Sequence, residues 1–357
     1  MKGNVRHYFA GDHTAKGFYT LYDSCFQDTG LVYKLNGTSP AVKSKIMKQL
    51  ADTFQETGMA IELIHRSSDP EELDGVILPE MKIGLVDGDL YDSAGKDVDV
   101  DTAIDTDQLV NQEDEILGLK EKIENEFSSA HASFATGLHI HDGLEEIYIN
   151  QMDFAKANQL AVELNESFFH GVATTGRTSI VKHRFFGAST PQGVMDYIEN
   201  LTEDLDKRYF IKGRAGTGKS TLLKKISAAA EQLGFDIEMY HCGFDPESMD
   251  MVVIRELGFC IFDSTDPHEY FPDRAGDEVV DVYEKAVTPG TDENYATAIM
   301  ELNRSYKSYM KNGIAILQEA KRLHDELEHI YAAATDDSKV EELIIQLNAE
   351  ITSSQKA

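Results

Sequence analysis

The chain has 357 residues, enough for about two ordinary domains, and carries 63 acidic against 33 basic side chains, a formal net charge of −30. This charge disfavours binding to nucleic acid and to anionic membranes, because phosphate groups are bound by clustered lysine and arginine. The sequence contains no apolar signal segment or membrane-spanning run, and its three cysteines form no closely spaced pair, so we expect a cytoplasmic protein without a disulfide framework or zinc site.

The first notable segment is KLNGTSPAVKSKI, residues 34–46, which has the layout of a phosphate-binding loop. A strand pattern and a glycine precede a short loop, and Lys43-Ser44 opens a helical pattern. Pro40 and Val42, however, stand where such a loop needs glycine. Proline lacks a backbone N–H, and a β-branched side chain hinders the approach of the backbone to phosphate. We therefore predict that this segment binds nucleotide weakly or not at all.

The sequence then repeats itself. Lys43-Ser44 aligns with Lys219-Ser220, and the same offset extends the match over about fifty positions. The paired residues include Gly37 with Gly213, His65 with His241, Asp69-Pro70-Glu71 with Asp245-Pro246-Glu247, Asp74 with Asp250, and Asp87 with Asp263. After a register shift, the segment His141–Tyr148 matches His324–Tyr331. We interpret the chain as a tandem duplication of residues 1–172 and 173–357.

Each copy has an α/β part and a helical part. In the second copy, residues 208–211, 219–233, 236–241 and 259–263 form the pattern strand, helix, strand, strand, which indicates a parallel sheet covered by helices. Residues of about 109–166 and 293–352 are rich in Glu, Lys, Leu and Ala, without proline, and predict helical hairpins. The predicted fold is thus α/β, with two tandem P-loop NTPase-like domains, each followed by a helical hairpin. We treat the hairpins as packing or partner surfaces and assign them no chemistry.

The second copy contains a complete G-x-x-x-x-G-K-[ST] motif between its first strand and its helix. Glycines allow backbone N–H groups to converge on phosphate, the following helix directs its positive end there, the lysine supplies a point charge, and the serine hydroxyl is suited to bind Mg²⁺. The predicted nucleotide-binding residues are Gly213, Arg214, Ala215, Gly216, Thr217, Gly218, Lys219, Ser220 and Thr221.

The magnesium partner should be an acidic residue at the end of an apolar strand. Asp263 follows Phe-Cys-Ile-Phe and is our first choice, together with Ser220, and Asp250 is the competing candidate. His268 is a candidate for orienting the attacking water, although a solvated loop histidine would look the same in sequence. Arg214 and Arg184 are candidates for stabilising transferred phosphate.

These motifs resemble a bacterial family of tandem-duplicated P-loop ATPases that occurs mainly in spore-forming and related Gram-positive bacteria. The resemblance lies in GRAGTGKSTLLKKI, in the segment that precedes it, and in RHYFAGDHTAKGFYTLYDS near the start. Members are described as ATPases or nucleotide kinases without an assigned substrate. In that family the first half often carries its own glycine-rich loop, from which Pro40 and Val42 depart. The resemblance implies a P-loop protein that binds nucleotide at Gly213–Thr221.

Three functions remain open from the sequence. The first is an Mg²⁺-dependent ATPase or nucleotide-driven switch, with ATP in the second copy and a structural or regulatory first copy. The second is a kinase for a nucleotide or small metabolite, although the 265–293 region, long enough for a lid, has one arginine. The third is a nucleotide-stabilised scaffold that meets a protein partner, or itself, through the helical hairpins.

Overall fold

The computed structural model describes residues 2–354, which form an α/β fold with a large, mostly parallel sheet flanked by helices. The strands are β1 Val5–Phe9, β2 Gly11–Thr14, β3 Gly17–Thr20, β4 Leu31–Asn36, β5 Ile61–Arg66, β6 Asp69–Leu78, β7 Ile83–Asp87, β8 Lys96–Asp99, β9 Val181–Phe185, β10 Gly187–Thr190, β11 Gly193–Asp196, β12 Lys207–Lys212, β13 Ile237–His241, β14 Met249–Ile254, β15 Phe259–Asp263 and β16 Asp277–Asp281. The α-helices are α1 Tyr22–Phe26, α2 Pro40–Glu56, α3 Thr106–Leu109, α4 Glu113–Ile149, α5 Phe154–Phe169, α6 Ile198–Leu201, α7 Lys219–Leu233, α8 Val282–Ala286, α9 Thr291–Asn294, α10 Ala296–Ala333 and α11 Asp337–Ser354.

The two copies share one twelve-stranded sheet, in the order β16-β12-β15-β14-β13-β9-β1-β5-β6-β7-β4-β8. Each copy contributes six strands in the same relative order, and within each copy only β6 or β14 runs antiparallel to its neighbours. The copies meet where β1 and β9 pair antiparallel, with Phe9 opposite Phe185. β4 pairs with β7 and β12 pairs with β15 in parallel, so within each pair the carboxyl ends lie at the same edge of the sheet.

The longest helices, α4 and α10, pack against each other in antiparallel orientation. Ile116 near the start of α4 shares an apolar cluster with Leu327 near the end of α10, whereas Leu144 clusters with Leu302. Their close approach at the middle depends on Gly313, where a Cβ would lie 2.2 Å from the Phe134 ring. In the part of the chain that the structure describes, no helix is both long enough and apolar enough to cross a bilayer.

The second helix of each hairpin packs on the other copy. Leu160 of α5 lies in one core cluster with Leu223 and Ile226 of α7, and Ile344 of α11 lies in another with Ile46 of α2. The hairpins are therefore exchanged between the copies. Because these apolar faces are buried inside the chain, the hairpins are packing surfaces, one of the two roles predicted for them. The expectation that they contribute no residues to the site was wrong, because α4 lines the cavity described below.

A buried ion cluster holds the copies together at the centre of the sheet. Arg184 is 1% exposed, donates to the Glu62 carboxylate over 2.8 Å, and lies 4.2 Å from the centre of the Tyr8 ring. Burial alone would raise the pKa of Glu238, but the guanidinium groups of Arg255 and Arg184 hold it well below its usual range. Because the Arg184 guanidinium is buried in this ion cluster, the prediction that it contacts phosphate is wrong.

Candidate functional site

The glycine-rich loop of the second copy joins β12 to α7. Gly216 and Gly218 have φ angles of 71° and 84°, in the left-handed region where a side chain would be strained. The Thr217 hydroxyl closes the loop by donating to the Arg214 carbonyl over 2.8 Å and accepting from its N–H over 3.2 Å. α7 begins at Lys219, so the unpaired N–H groups of its first turn adjoin the loop. This is the backbone geometry that an anion-binding loop requires.

The aligned segment of the first copy has a different backbone. α2 begins at Pro40, so residues 40–42 form its first turn rather than a loop. Proline is favoured at this position, and Ser39 caps the helix by accepting a hydrogen bond from the Val42 N–H over 3.2 Å. The residues that align with Gly216 to Gly218 are therefore wound into helix, and this segment has no phosphate cradle.

Lys219 and Ser220 already have protein partners. The ammonium group of Lys219 donates to the Arg214 carbonyl over 2.7 Å and lies 3.4 Å from Asp263 Oδ2. The Ser220 hydroxyl accepts from the Met249 N–H over 2.9 Å, and Ser44 does the same for Leu73 in the first copy over 2.8 Å. The serine thus anchors the helix to a strand in both copies, which explains why it persists where the loop is lost.

Asp263 and Asp250, the two candidates for the magnesium partner, both line the same cavity. They lie on the neighbouring strands β15 and β14, and Asp263 accepts a hydrogen bond from Thr265 over 2.7 Å. Burial, and then the negative charge of Asp263, raise the pKa of Asp250 to about 6. The two carboxylates are therefore close enough to repel each other when both are ionised.

His268 also lines the cavity and is held in place rather than solvated. Its Nδ1 lies 2.7 Å from Asp196 Oδ2, and the Tyr270 hydroxyl donates to the other oxygen of Asp196 over 2.7 Å. Burial would raise the pKa of Asp196, but the hydrogen bond from His268 lowers it. A carboxylate on Nδ1 leaves Nε2 as the atom available for proton transfer. Asp196 was not predicted from the sequence, and its aligned residue in the first copy is Thr20.

The side chain of Arg214 is engaged with neighbouring residues. Its Nη2 donates to Asp292 over 2.8 Å, and its guanidinium carbon lies 4.8 Å from the centre of the Tyr283 ring. Burial would lower the pKa of Arg214, but the hydrogen bond to Asp292 raises it. Arg214 would have to leave Asp292 to reach a phosphate.

The cavity above the loop has a volume of about 1310 Å³ and is built from both copies. All nine predicted loop residues, Gly213 to Thr221, line it, as do Asp250, Asp263 and His268. The opposite wall comes from α4 of the first copy, whose contributing side chains include His141, Asp142, Glu145 and Tyr148. We had assigned no chemistry to this helix. The signal was present in the sequence, since the motif from His141 to Tyr148 recurs at 324–331.

Glu145 lies directly against the loop. A Cβ on Gly216 would be 2.7 Å from the Glu145 carbonyl oxygen. Burial, followed by Asp142, raises the pKa of Glu145, whereas Lys219 and the Gly216 N–H act in the opposite direction. A carboxylate of the first copy therefore adjoins the loop N–H groups of the second.

α10 adds a cationic wall to the cavity. Arg304, Lys307 and Lys311 all line it and are exposed, and Lys307 pairs with Asp266 over 2.7 Å. Helical spacing places them on one side of α10. The aligned positions of α4 carry Glu121, Glu124 and Ser128. Three basic side chains thus occur only beside the copy with the glycine-rich loop, in a strongly acidic chain.

The equivalent region of the first copy is filled by its own side chains. Lys43, which is 1% exposed, pairs with Asp87 over 2.5 Å and Asp89 over 2.9 Å. Arg66 donates to Asp74 over 2.6 Å and to Asp87 over 3.2 Å. Lys43 therefore has a structural role, which sequence analysis did not identify.

A metal at the second copy would need ligands from outside the protein. Within residues 2–354, no cluster of three or more His, Cys, Asp or Glu side chains could hold an ion. Mg²⁺ is commonly held by one or two carboxylates, with water and phosphate oxygens completing its shell. Asp250 and Asp263, beside the glycine-rich loop, fit that requirement.

Comparison of the chain with protein-family models, curated proteins and solved structures finds no match. The resemblance of the loop segments to tandem P-loop ATPases therefore stays a prediction from the sequence.

Proposed function

We propose that this protein is an Mg²⁺-dependent ATPase, or a switch driven by ATP, built from two P-loop NTPase-like copies of which the second binds the nucleotide. The observation that carries the proposal is the cavity: its floor is a glycine loop with two left-handed glycines, and Lys219, Asp250, Asp263 and His268 line it. Adenine is assumed because ATP is the commoner ligand of such loops.

The chemistry follows from the positions of these side chains. The loop N–H groups and Lys219 would hold the β- and γ-phosphates, and the Lys219 ammonium would leave Asp263 to do so. Ser220 and Asp263 would hold Mg²⁺, which supplies neutralisation of charge on the phosphates. Nε2 of His268, with Nδ1 bound to Asp196, would orient the attacking water and accept its proton.

The first copy would have a structural role and would cover the nucleotide site of the second copy. It has no cradle at residues 40–42, and α4 brings Glu145 and His141 over the loop of its partner copy. Binding of a phosphate group beside Gly216 would have to displace the Glu145 carboxylate, so nucleotide occupancy and the position of α4 would be coupled.

Phosphate release by the purified protein with ATP and Mg²⁺ tests the proposal. We expect slow release that falls about a hundredfold or more in Lys219→Ala. The matched control is Lys225→Ala, on the same helix, whose side chain contacts Asn158 and does not line the cavity. Undiminished release in Lys219→Ala would contradict the proposal, and nucleotide binding without turnover would identify a scaffold.

A kinase is the second candidate, favoured by the cationic wall of α10. Phosphotransferases clamp anionic acceptors with basic side chains, and Arg304, Lys307 and Lys311 could do this although the 265–293 region has one arginine. ADP formation should then depend on added phosphorylated or carboxylated metabolites. Replacing Arg304 and Lys311 by Glu should abolish that dependence while release without acceptor is retained. No stimulation by any such metabolite would exclude this candidate.

A further inference from the structure

In the first copy, a cationic side chain lies between two carboxylates. Carboxylates occur at the same two aligned positions in the second copy. Arg66, at the end of β5, donates to Asp74 and Asp87 over 2.6 and 3.2 Å, and its side chain is 9% exposed. Burial would lower the pKa of Arg66, but the two carboxylates raise it. Two aspartates on adjacent strands therefore share one guanidinium group, and Lys43 pairs with Asp87 as well.

The second copy keeps both carboxylates and loses the cation. Asp74 and Asp87 align with Asp250 and Asp263, whereas Arg66 aligns with Cys242. Cys242, Asp250 and Asp263 all line the cavity, and the smaller Cys242 side chain makes a hydrogen bond with Asp250. Within residues 2–354, no lysine or arginine forms an ion pair with Asp250, and Lys219 is the cation beside Asp263.

We propose that Asp250 and Asp263 hold a divalent cation at the position that the Arg66 guanidinium occupies in the first copy. The independent observation is the first copy itself, in which the same two carboxylates bind a positive group. The inference deepens the proposed function, on which it rests for the identity of the ion as Mg²⁺. Asp250 would then be a second carboxylate ligand, and the small Cys242 side chain would leave space for the ion.

A glutamate of α10 contacts the first-copy segment that aligns with the glycine loop. The Ser39 hydroxyl donates to Glu328 Oε2 over 2.6 Å, and the Ala41 N–H lowers the pKa of the same carboxylate against the larger effect of burial. Glu328 aligns with Glu145, and it contacts the residues that align with the glycine loop. The Glu145 carboxylate likewise adjoins the Gly216 N–H in the second copy. The glutamate is therefore common to both copies, and the exchange of Arg66 for Cys242 is what distinguishes them at the carboxylate pair.

The test separates metal binding from nucleotide binding. The probe is mant-ADP, titrated once in EDTA and once in Mg²⁺. For the wild type we expect Mg²⁺ to tighten binding at least tenfold. Cys242→Arg should retain the affinity measured in EDTA and lose the tightening, because its guanidinium reproduces that of Arg66. Cys242→Ala is the matched control, and it should keep the tightening because it removes the thiol without adding a cation.

Asp250→Asn supplies a second variant should Cys242→Arg not fold, and it should lose most of the tightening. Mn²⁺ bound per chain, measured by electron paramagnetic resonance in 0.2 M KCl, should fall by about one in Asp250→Asn and Cys242→Arg but not in Cys242→Ala. Full tightening in Asp250→Asn would overturn the inference, and its loss in Cys242→Ala would indicate a thiolate ligand instead. Absence of mant-ADP binding in every protein, with Mn²⁺ binding that follows the pattern above, would overturn the proposed function alone.

Discussion

Gly216 is the residue at which the loop and the covering helix constrain each other. Its φ of 71° disfavours any side chain, and a Cβ would lie 2.7 Å from the backbone oxygen of Glu145. We expect Gly216→Ala to lower the free energy of unfolding by about 1–2 kcal/mol and to weaken nucleotide binding. Urea denaturation and mant-ADP titration measure the two effects.

Gly118→Ala is the control for this substitution. Gly118 lies in α4, and a Cβ there would have no neighbouring atom within 4 Å, so alanine should raise stability by up to about 1 kcal/mol. Equal stability changes in the two variants would contradict the role given to Gly216.

Lys43 is buried in ion pairs with Asp87 and Asp89, which stabilise the fold of the first copy. Lys43→Met would leave the buried Asp87 short of one of its two cations, so we expect a loss of about 3 kcal/mol in the free energy of unfolding. The neighbouring Lys45 pairs with Asp337 at the surface, so Lys45→Met should change stability by less than about 0.5 kcal/mol. Chemical denaturation compares them, and a stable Lys43→Met protein would refute this role.

Single residues also mark the limit of sequence analysis. The loop residues were identifiable because a contiguous motif encodes one backbone geometry. The roles of Lys43 and Arg66 were not, because their partners Asp74 and Asp87 lie on other strands and are brought together only by the pairing of the sheet. Asp196 was missed for the same reason, since it reaches His268 across 72 positions of sequence.

At the scale of elements, α4 covers the loop of the other copy. The negative charge of Glu145 adjoins the N–H groups that would receive phosphate. We therefore expect Glu145→Gln to bind mant-ADP about tenfold more tightly, because one like charge beside the phosphates is removed. Glu146→Gln, on the exposed side of α4, is the matched control and should leave the affinity unchanged. Weaker binding in Glu145→Gln would show that the carboxylate assists the nucleotide.

The existence and approximate bounds of these elements were predictable, and their partners were not. Periodicity and composition placed a helix at 219–233 and a strand at 259–263, where α7 and β15 lie. Nothing in the local pattern states that α5 packs on α7 or that α11 packs on α2, because apolar faces from either copy would fill either core. The exchange of hairpins is a property of the assembled chain.

At the scale of the whole molecule, the same pair of neutral histidines occurs in both copies, on either side of the contact between β1 and β9. His183 Nδ1 lies 2.7 Å from His241 Nε2, and His7 Nδ1 lies 2.8 Å from His65 Nε2. Burial lowers the pKa of both His65 and His241 to about 4. Below pH 6.5, the ordinary pKa of histidine, these side chains are protonated in the unfolded chain but stay neutral in the folded chain.

Stability should therefore be complete above pH 6.5 and fall as the pH drops from 6.5 towards 4, by at most about 1.4 kcal/mol per pH unit for each such histidine. Urea denaturation at pH 7.5 and pH 5.0 measures the slope. His241→Asn should be less stable at pH 7.5, where it loses a hydrogen bond, but should depend less on pH than the wild type. An unchanged slope in that variant would contradict the buried neutral state.

The number of nucleotides bound per chain tests the central claim, that the duplication has one binding copy and one self-filled copy. Native mass spectrometry with Mg²⁺ and a slowly hydrolysed ATP analogue gives this number directly. The account predicts one nucleotide per chain, none in Lys219→Ala, and one in Lys225→Ala. Two nucleotides per chain would contradict the self-filled first copy, and none would contradict the proposed site at Gly213–Thr221.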